Sequence, residues 1–336
     1  MPYVILLAPA SNRVYAGEAP RLLAAELRVL LGADADVEPI TLAGIDYLAL
    51  KRERLDANCL TALGRLSGFL AAFRRDGDHL LPVEVRRPDR FDDDLVTIPK
   101  YAGKTNEQFT RLLINVTTAS MTRRPRGSIA ILDPLCGRGT TLSTGLTLGY
   151  DVAGVESEEK AVEWYAAFLR SYLRRKRLKH TVDSSPVRRE GRSLGRRLDA
   201  SIRPPDGGPP LDLVVFTGDT RQSAALFGKR RFDAVVADAP YGVVHASRSD
   251  ADRRTGKRER SAAGLLAEAL PVWASQLKPG GALGLSWNTY AIGRAQLVEL
   301  AAAAGLQPLD DGPYRELPHR VDSSIVRDIL VAVAPS

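Results

Sequence analysis

The stretches ILDPLCGRGTTL, residues 131 to 142, and FDAVVADAPYG, residues 232 to 242, decide the fold of this chain. Each begins with a short apolar run typical of a buried parallel strand and turns polar where such a strand would end. Ligands of open α/β sheets bind outside the carboxyl ends of the strands. The first stretch is therefore a candidate cofactor loop, and the second a candidate substrate loop.

The first stretch ends in a glycine loop. Gly137 and Gly139 lie between the predicted strand and a helix expected to begin near Thr140. Glycines at this turn let a ligand approach the backbone. The unpaired N–H groups at the start of the helix can bind the acidic end of that ligand. Leu142 stands where the dinucleotide fingerprint GxGxxG needs its third glycine, which disfavours a nicotinamide cofactor. A plain tight turn is the alternative interpretation of this loop taken alone.

Four strand-like runs each lead to an acidic residue. The runs AILD, DVAGVE, LDLVVFTGD and FDAVVAD end in Asp133, Glu156, Asp219 and Asp238, respectively. A carboxylate after the second strand is where such folds contact ribose hydroxyls. The pattern fits an open α/β sheet with a ligand along its carboxyl edge, although each carboxylate could instead cap a helix or end a strand in solvent.

Taken in order, LDPLCGRGTTL, VAGVE, TGDTR and FDAVVADAPYG resemble the S-adenosylmethionine-dependent amino-methyltransferases. The resemblance is greatest to the tRNA guanine-N2 methyltransferases, whose motifs read DPFCGTGT and DPPY, and it covers roughly residues 96 to 336. It implies an α/β fold with a Rossmann-like, seven-stranded class I methyltransferase sheet. It also implies S-adenosyl-L-methionine as the cofactor.

The resemblance implies roles for individual residues. The Asp238 carboxylate and the Ala239 carbonyl would accept hydrogen bonds from the substrate amine, Pro240 would stiffen the turn, and Tyr241 would stack on the base. Ala239 stands where the family has a first proline, and Ala239→Pro is expected to be tolerated because the carbonyl is the working group. The implied cofactor-binding residues are Lys100, Tyr101, Gly103, Asp133, Pro134, Cys136, Gly137, Gly139, Thr140, Glu156, Asp219 and Thr220.

Residues 3 to 73 read as strand, helix, strand, strand, helix, strand, the order of a ferredoxin-like fold. We therefore predict a small ferredoxin-like α+β domain over residues 1–95 and a methyltransferase domain over residues 96–336. The resembled tRNA methyltransferases usually carry a THUMP domain after a ferredoxin-like module, but the short segment LPVEVRRPDRFDDD leaves no room for one. In the segment before the glycine loop, Thr105 is the predicted N-cap of a helix through Val116.

The net charge of +7 is unevenly distributed. Residues 170 to 203 contain twelve Lys or Arg against three Asp or Glu, whereas residues 1 to 99 contain twelve against fifteen. Such a local surplus favours a polyanionic partner, and the run Arg174, Arg175, Lys176 and Arg177 is the predicted nucleic-acid contact. The alternative is a solvated insertion over about residues 170–210, ending in the linker-like RPPDGGPP.

The composition excludes several other classes. No apolar run is long enough to span a membrane, and the opening MPYVILLAPA lacks the basic start of a secretory signal, so a cytoplasmic location is expected. Cys59 and Cys136 are far apart and the four histidines are scattered, so neither a disulfide framework nor a metal site is expected. Methylation at pyrimidine C5 needs a cysteine nucleophile, and neither cysteine lies in the second motif.

Three functions remain open at this stage. The first is methylation of an exocyclic base amine in RNA, with tRNA guanine N2 as the favoured target. The second is methylation of DNA at adenine N6 or cytosine N4, because the motif order is shared. The third, suggested by Ala239, is an inactive nucleic-acid-binding module. The ferredoxin-like start favours RNA, whereas the missing THUMP domain weakens that preference.

Overall fold

The structure is a computed structural model that describes residues 2–10, 12–101, 103–123, 125, 127–189, 192–239, 262–322 and 325–336. The described chain forms two β-sheets with helices packed on them.

The smaller sheet is built from the first part of the chain. Its elements are β1 (Pro2–Leu7), α1 (Arg13–Leu31), β2 (Val37–Leu42), β3 (Ile45–Lys51), α2 (Ala57–Arg65), β4 (Phe69–Asp76) and β5 (His79–Val83). The strand order is β2-β3-β1-β4-β5, and all neighbours are antiparallel. The element order up to β4 follows the predicted alternation, whereas the edge strand β5 was not predicted. Helix α1 begins earlier than its apolar pattern indicates because Asn12 Oδ1 accepts from Val14 N and Tyr15 N.

The larger sheet takes up the rest of the described chain. Its strands and the associated helices are, in chain order, α3 (Asp94–Thr97), α4 (Glu107–Ala119), β6 (Ala130–Asp133), α5 (Thr140–Thr147), β7 (Asp151–Glu156), α6 (Glu159–Arg175), β8 (His180–Arg189), β9 (Arg192–Ile202), β10 (Leu211–Thr217), α7 (Ser223–Phe227), β11 (Phe232–Asp238), α8 (Ala262–Ser275), β12 (Leu277–Asn288), α9 (Arg294–Ala303), β13 (Gln307–Leu309), β14 (His319–Arg320) and β15 (Val326–Val333).

The strand order of the larger sheet is β13-β15-β12-β11-β6-β7-β10-β9-β8, with β14 paired to β15. Strands β10, β7, β6, β11 and β12 are parallel, and β15 is antiparallel to β12. The predicted parallel strands at the four acidic residues are therefore present and adjacent. The predicted count of seven is wrong for the sheet as a whole, which has ten strands among the described residues.

The basic insertion accounts for two of the additional strands. Strands β8 and β9 form an antiparallel hairpin, and β9 pairs with β10, so the hairpin extends the sheet beyond the parallel strands. Its strand residues Leu198, Ala200 and Ile202 are buried in the core under α6. The alternative interpretation of a solvated insertion therefore does not hold for these three residues of β9. Alternating apolar residues in β9 were the signal for a half-buried strand.

The C-terminal runs DGPYRELP and SSIVRDILVAVA suggest an antiparallel strand pair. The structure differs for the first run, because Gly312–Arg315 is a 3₁₀ turn. The short strand β13 lies beside β15 instead. Pro313 lies in the first turn of this 3₁₀ segment and lacks the N–H that a strand partner would need.

Helix α4 lies between the two sheets. Every residue from Phe109 to Thr118 is buried, with α1 on one side and strands β11 and β12 on the other. A single apolar cluster joins Leu22 of α1, Leu112 of α4 and Val236 of β11. The two sheets therefore share one continuous core, and the domain boundary near residue 95 stays a prediction.

Candidate active site

A cavity of about 520 Å³ lies at the carboxyl ends of the parallel strands β6, β7 and β11. This cavity, called the first cavity below, has a volume typical of small-molecule and cofactor sites. Nine of the twelve predicted cofactor-binding residues line it: Tyr101, Gly103, Asp133, Pro134, Cys136, Gly137, Thr140, Glu156 and Thr220. Lys100, Gly139 and Asp219 are absent from its lining.

The glycine loop is shaped by contacts on both sides. Gly137 has a φ of +50°, and its N–H donates to Glu156 Oε2 over 2.9 Å, so the loop is tied to the end of β7. Gly139 has a φ of +80°, and a Cβ there would lie 2.5 Å from the Tyr165 ring. The positive φ and the packing against α6 both require glycine at position 139, and its predicted contact with the cofactor stays a prediction.

Three carboxylates converge on the first cavity. Asp133 at the end of β6 is 2% exposed, and burial raises its pKa to about 7, with smaller contributions from the negative charges of Asp238 and Glu156. Leu135 N donates to Asp133 Oδ1 over 3.0 Å and holds the carboxylate at the start of the loop. A cationic ligand in this cavity would offset the repulsion among the three groups.

Asp238 is held by two hydroxyl donors at the end of β11. Ser286 Oγ of the neighbouring strand β12 donates to Oδ1 over 2.8 Å, and Thr105 Oγ1 donates to Oδ2 over 2.6 Å. Arg327 NH2 on β15 lies 3.8 Å from the same Oδ2. The carboxylate is thus fixed in position from three separate elements while it lines the cavity.

The structure corrects the prediction for Thr105. Helix α4 begins at Glu107, and Asn106 is its N-cap, with Oδ1 accepting from Phe109 N over 3.1 Å. Both Thr and Asn are good N-cap residues, so the sequence alone did not separate them. Because Asn106 takes the cap, the Thr105 hydroxyl is directed to Asp238 instead.

Aromatic residues and a cation close one side of the first cavity. The guanidinium of Arg138 lies 5.0 Å from the Tyr101 ring centroid and 5.3 Å from that of Trp164. The two rings meet edge to face, and the Tyr101 hydroxyl hydrogen-bonds Thr140 Oγ1 over 2.7 Å. The loop around Tyr101 is thereby pinned to both the glycine loop and α6.

Asp219 follows β10 and does not line the first cavity. Its carboxylate accepts from the Arg221 backbone N–H and is paired with the Arg221 guanidinium at 2.9 to 3.0 Å. The flanking Gly218 and Thr220 line the cavity. The predicted contact of Asp219 with the cofactor stays a prediction.

Only half of the predicted catalytic tetrapeptide can be placed. Asp238 and Ala239 line the first cavity, whereas Pro240 and Tyr241 lie outside the described residues. The Ala239 N–H donates to the Ser286 carbonyl over 2.8 Å. Proline would remove this donor, so Ala239→Pro should be destabilising, and not tolerated as the resemblance implies.

A second cavity of about 410 Å³ adjoins the first, and Tyr101 and Thr105 line both. The other residues of its lining are Asn12, Tyr15, Thr97, Lys100, Lys104, Asn106, Glu107, His319, Arg320, Val321 and Arg327. Lys100 therefore lies in this second cavity and not in the first.

The four basic residues proposed to contact nucleic acid lie at the end of α6 and just after it. Arg174, Arg175 and Arg177 are exposed, whereas Lys176 is paired with Asp92 at 2.7 Å and Asp94 at 2.6 Å. The pairing lowers the pKa of Asp94, and the hydrogen bond from Lys176 is the largest cause. Three of the four cations therefore remain available for a polyanion.

Several site residues were not found from the sequence. Ser286 and Arg327 approach Asp238 from β12 and β15, and Phe109, Thr110 and Leu113 of α4 line the first cavity. These residues are far from both motifs along the chain. The polar Ser286 within the otherwise apolar strand ALGLSW was the available signal, because a buried hydroxyl needs a partner.

Two observations concern classes of site beyond these cavities. Within the described residues, no group of three or more His, Cys, Asp or Glu is placed to hold a metal ion. In the same part of the chain, every helix is too short or too polar to cross a bilayer.

Comparison with known proteins gives structural likeness only. No protein-family model matches the chain, and no curated protein sequence does. TrmN from Thermus thermophilus is 15% identical over 99% of this chain and 100% of its own, with a TM-score of 0.47. A provisionally assigned RNA methyltransferase from Pyrococcus horikoshii is 14% identical over 69% and 86%, with a TM-score of 0.37.

A third structure carries its cofactor. Magnesium protoporphyrin IX methyltransferase from Synechocystis PCC 6803 with bound SAM is 14% identical over 72% of this chain and 88% of its own, with a TM-score of 0.39. The structural neighbours of the chain are thus methyltransferases, including SAM-dependent ones.

Proposed function

We propose that this chain is an S-adenosyl-L-methionine-dependent methyltransferase that acts on an exocyclic base amine in RNA, with tRNA guanine N2 as the favoured target. The observation that carries the proposal is the position of Asp238. Its carboxylate lies at the end of β11, lines the first cavity, and is held by Thr105 and Ser286.

The first cavity fits the proposed cofactor by chemistry and size. Asp133, Glu156 and Asp238 provide negative charge for a ligand that carries a sulfonium and an amino group. Glu156, at the end of the second parallel strand, is placed for ribose hydroxyls. When bound, S-adenosyl-L-methionine supplies a methyl group activated by its positively charged sulfur.

The chain's own residues would prepare the acceptor amine. A base amine is a poor nucleophile because its lone pair is delocalised into the ring. Asp238 and the Ala239 carbonyl would accept its hydrogen bonds, orient the nitrogen and favour its pyramidal form. A carboxylate has about four acceptor sites, so it can bind supporting hydroxyls and a substrate amine together.

Transfer of a tritiated methyl group tests the proposal. Wild-type protein should label bulk tRNA, whereas Asp238→Ala should bind the cofactor almost normally and transfer about a hundredfold more slowly. Label in genomic DNA and not in tRNA would support the DNA alternative. Failure of the folded wild type to bind S-adenosyl-L-methionine in calorimetry would reject the methyltransferase altogether.

A further inference from the structure

The second cavity combines positive charge with an aromatic wall. Lys100, Lys104, Arg320 and Arg327 contribute cations to its lining, against one acidic residue, Glu107. A cavity with this charge balance suits an anionic ligand.

Two of these cations are already committed to protein partners. Lys104 Nζ is paired with Glu107 and donates to the Val96 carbonyl over 2.6 Å. Arg327 is buried, with its guanidinium 4.3 Å from the centroid of the Phe109 ring. Lys100 and Arg320 are exposed and have no ion pair among the residues that the structure describes. Arg320 Nε donates to the Asp322 carbonyl over 3.2 Å, and a guanidinium has further N–H donors beyond that one. They are therefore the cations that can bind an external phosphate.

The inner wall is aromatic and contains an unused polar atom. Tyr15, from the start of α1, and His319, on β14, pack edge to face with ring centroids 5.9 Å apart. Both side chains are at most 5% exposed, and in the described part of the chain His319 Nε2 has no hydrogen-bond partner. Buried polar atoms of this kind are costly unless a ligand or water satisfies them.

The two cavities meet at Thr105. Thr105 and Tyr101 line both, and Thr105 donates to Asp238, which lines the first. A planar group in the second cavity therefore lies next to the residue proposed to bind the acceptor amine. The volume of about 410 Å³ is within the usual range for a bound small molecule or nucleotide.

We propose that the second cavity binds the RNA nucleotide that accepts the methyl group, with its base beside Thr105 and its phosphate on Lys100 and Arg320. The start of α1 and His319 on β14 form walls of this site. Helix α1 packs on the smaller sheet, so that part of the chain takes part in substrate binding. This inference rests on the function proposed above and assigns the acceptor site within it.

The test compares two double variants with the same change in charge. Lys100→Ser/Arg320→Ser removes the proposed phosphate contacts. Lys229→Ser/Arg231→Ser removes two exposed cations that precede β11, at the opposite end of that strand from Asp238. Each protein is assayed for binding of fluorescein-labelled bulk tRNA, for tritium transfer, and for cofactor binding by calorimetry.

The first double variant should raise the Kd and KM for tRNA by about tenfold or more. Its kcat and cofactor affinity should stay within about twofold of wild type, and the control variant should change neither Kd nor KM by more than about twofold. His319→Phe, which keeps the ring packing, should also raise KM without loss of cofactor binding.

Other results would overturn the assignment. Equal losses in both double variants would show a general electrostatic effect, and a loss confined to cofactor affinity would return Lys100 to the cofactor site. A wild-type protein that does not bind labelled tRNA would also reject it. Normal methyl transfer with an unchanged KM in the first variant would reject the acceptor site alone. Binding through Lys100 and Arg320 without methyl transfer would reject the proposed function alone.

Discussion

Thr105 donates a hydrogen bond of 2.6 Å to Asp238, across 133 positions of sequence. The bond joins the segment before α4 to the proposed catalytic carboxylate at the end of β11. It also lies where the two cavities meet.

Thr105→Val should slow methyl transfer by about tenfold, because a nearly isosteric side chain without the hydroxyl leaves Asp238 with less support. Cofactor affinity should change little. Single-turnover rates and calorimetry separate the two effects. Thr105→Ser, which keeps the donor, is the matched control, and an equal loss in both variants would contradict the role of the hydrogen bond.

Glu156→Gln should weaken binding of S-adenosyl-L-methionine by about tenfold through loss of a charged acceptor for the ribose hydroxyls. The glutamine oxygen can still accept from Gly137 N, but the bond of 2.7 Å from Glu158 N to the other carboxylate oxygen is then lost. Calorimetry measures the affinity, and thermal unfolding checks the fold. Glu163→Gln, on the exposed face of α6, should bind normally; unaltered affinity in Glu156→Gln would remove this residue from the cofactor site.

Ala239→Pro should destabilise the protein by about 1 kcal/mol or more and should reduce transfer, because it removes the N–H donor to the Ser286 carbonyl. Ala239→Gly keeps that donor and serves as the control. Denaturant unfolding and tritium transfer are the measurements. Full stability and activity in Ala239→Pro would show that β11 and β12 can do without this bond.

Arg174→Ser/Arg175→Ser/Arg177→Ser should weaken tRNA binding and reduce its salt dependence, by about 0.7 in the logarithmic slope for each lost phosphate contact. Lys176 is left intact because its ion pairs with Asp92 and Asp94 fasten α6 to the segment before α4. Filter binding at several salt concentrations gives the slope. An unchanged slope would mean that these arginines are solvent-exposed and do not contact the RNA.

Between pH 5 and 8, the free energy of unfolding should fall less in Glu26→Gln than in the wild type. Burial raises the pKa of Glu26 to about 7, although Ser67 and Asn115 donate to its carboxylate. A raised carboxyl pKa means that the folded state holds the proton more tightly, so stability is greatest below the unfolded pKa and is lost as pH rises towards 7.

The wild type should therefore lose roughly 2 to 3 kcal/mol more unfolding free energy than Glu26→Gln between pH 5 and 8. Urea unfolding at both values gives the difference, and Glu163→Gln should behave as wild type. Parallel losses in wild type and Glu26→Gln would show that other groups set the pH dependence.

The parts of the fold that follow from local pattern were predictable. Apolar runs ending in Asp133, Glu156 and Asp238 identified three adjacent parallel strands, because such strands need both faces buried. Nine of the cofactor-binding residues that the resemblance implied line the first cavity. Local sequence and strand order together set that part of the site.

The parts that depend on long-range packing were not predictable. The packing of Gly139 against the ring of Tyr165 joins residues that are 26 positions apart, and no local pattern indicated it. Asn106 and not Thr105 is the helix cap, and the Thr105 hydroxyl bonds Asp238, which is 133 positions away in the sequence. The β8 to β9 hairpin was obscured by its charges, although Leu198, Ala200 and Ile202 of β9 are buried.

The burial of α4 on all sides has a consequence for how the chain unfolds. Because Leu112 contacts a core that also contains Leu22 and Val236, neither sheet can separate without exposing this helix to water. The chain should melt in one cooperative transition, and residues 96–336 expressed alone should aggregate. The smaller sheet would then be needed for the stability of the methyltransferase part of the chain, because it shields α4 from water.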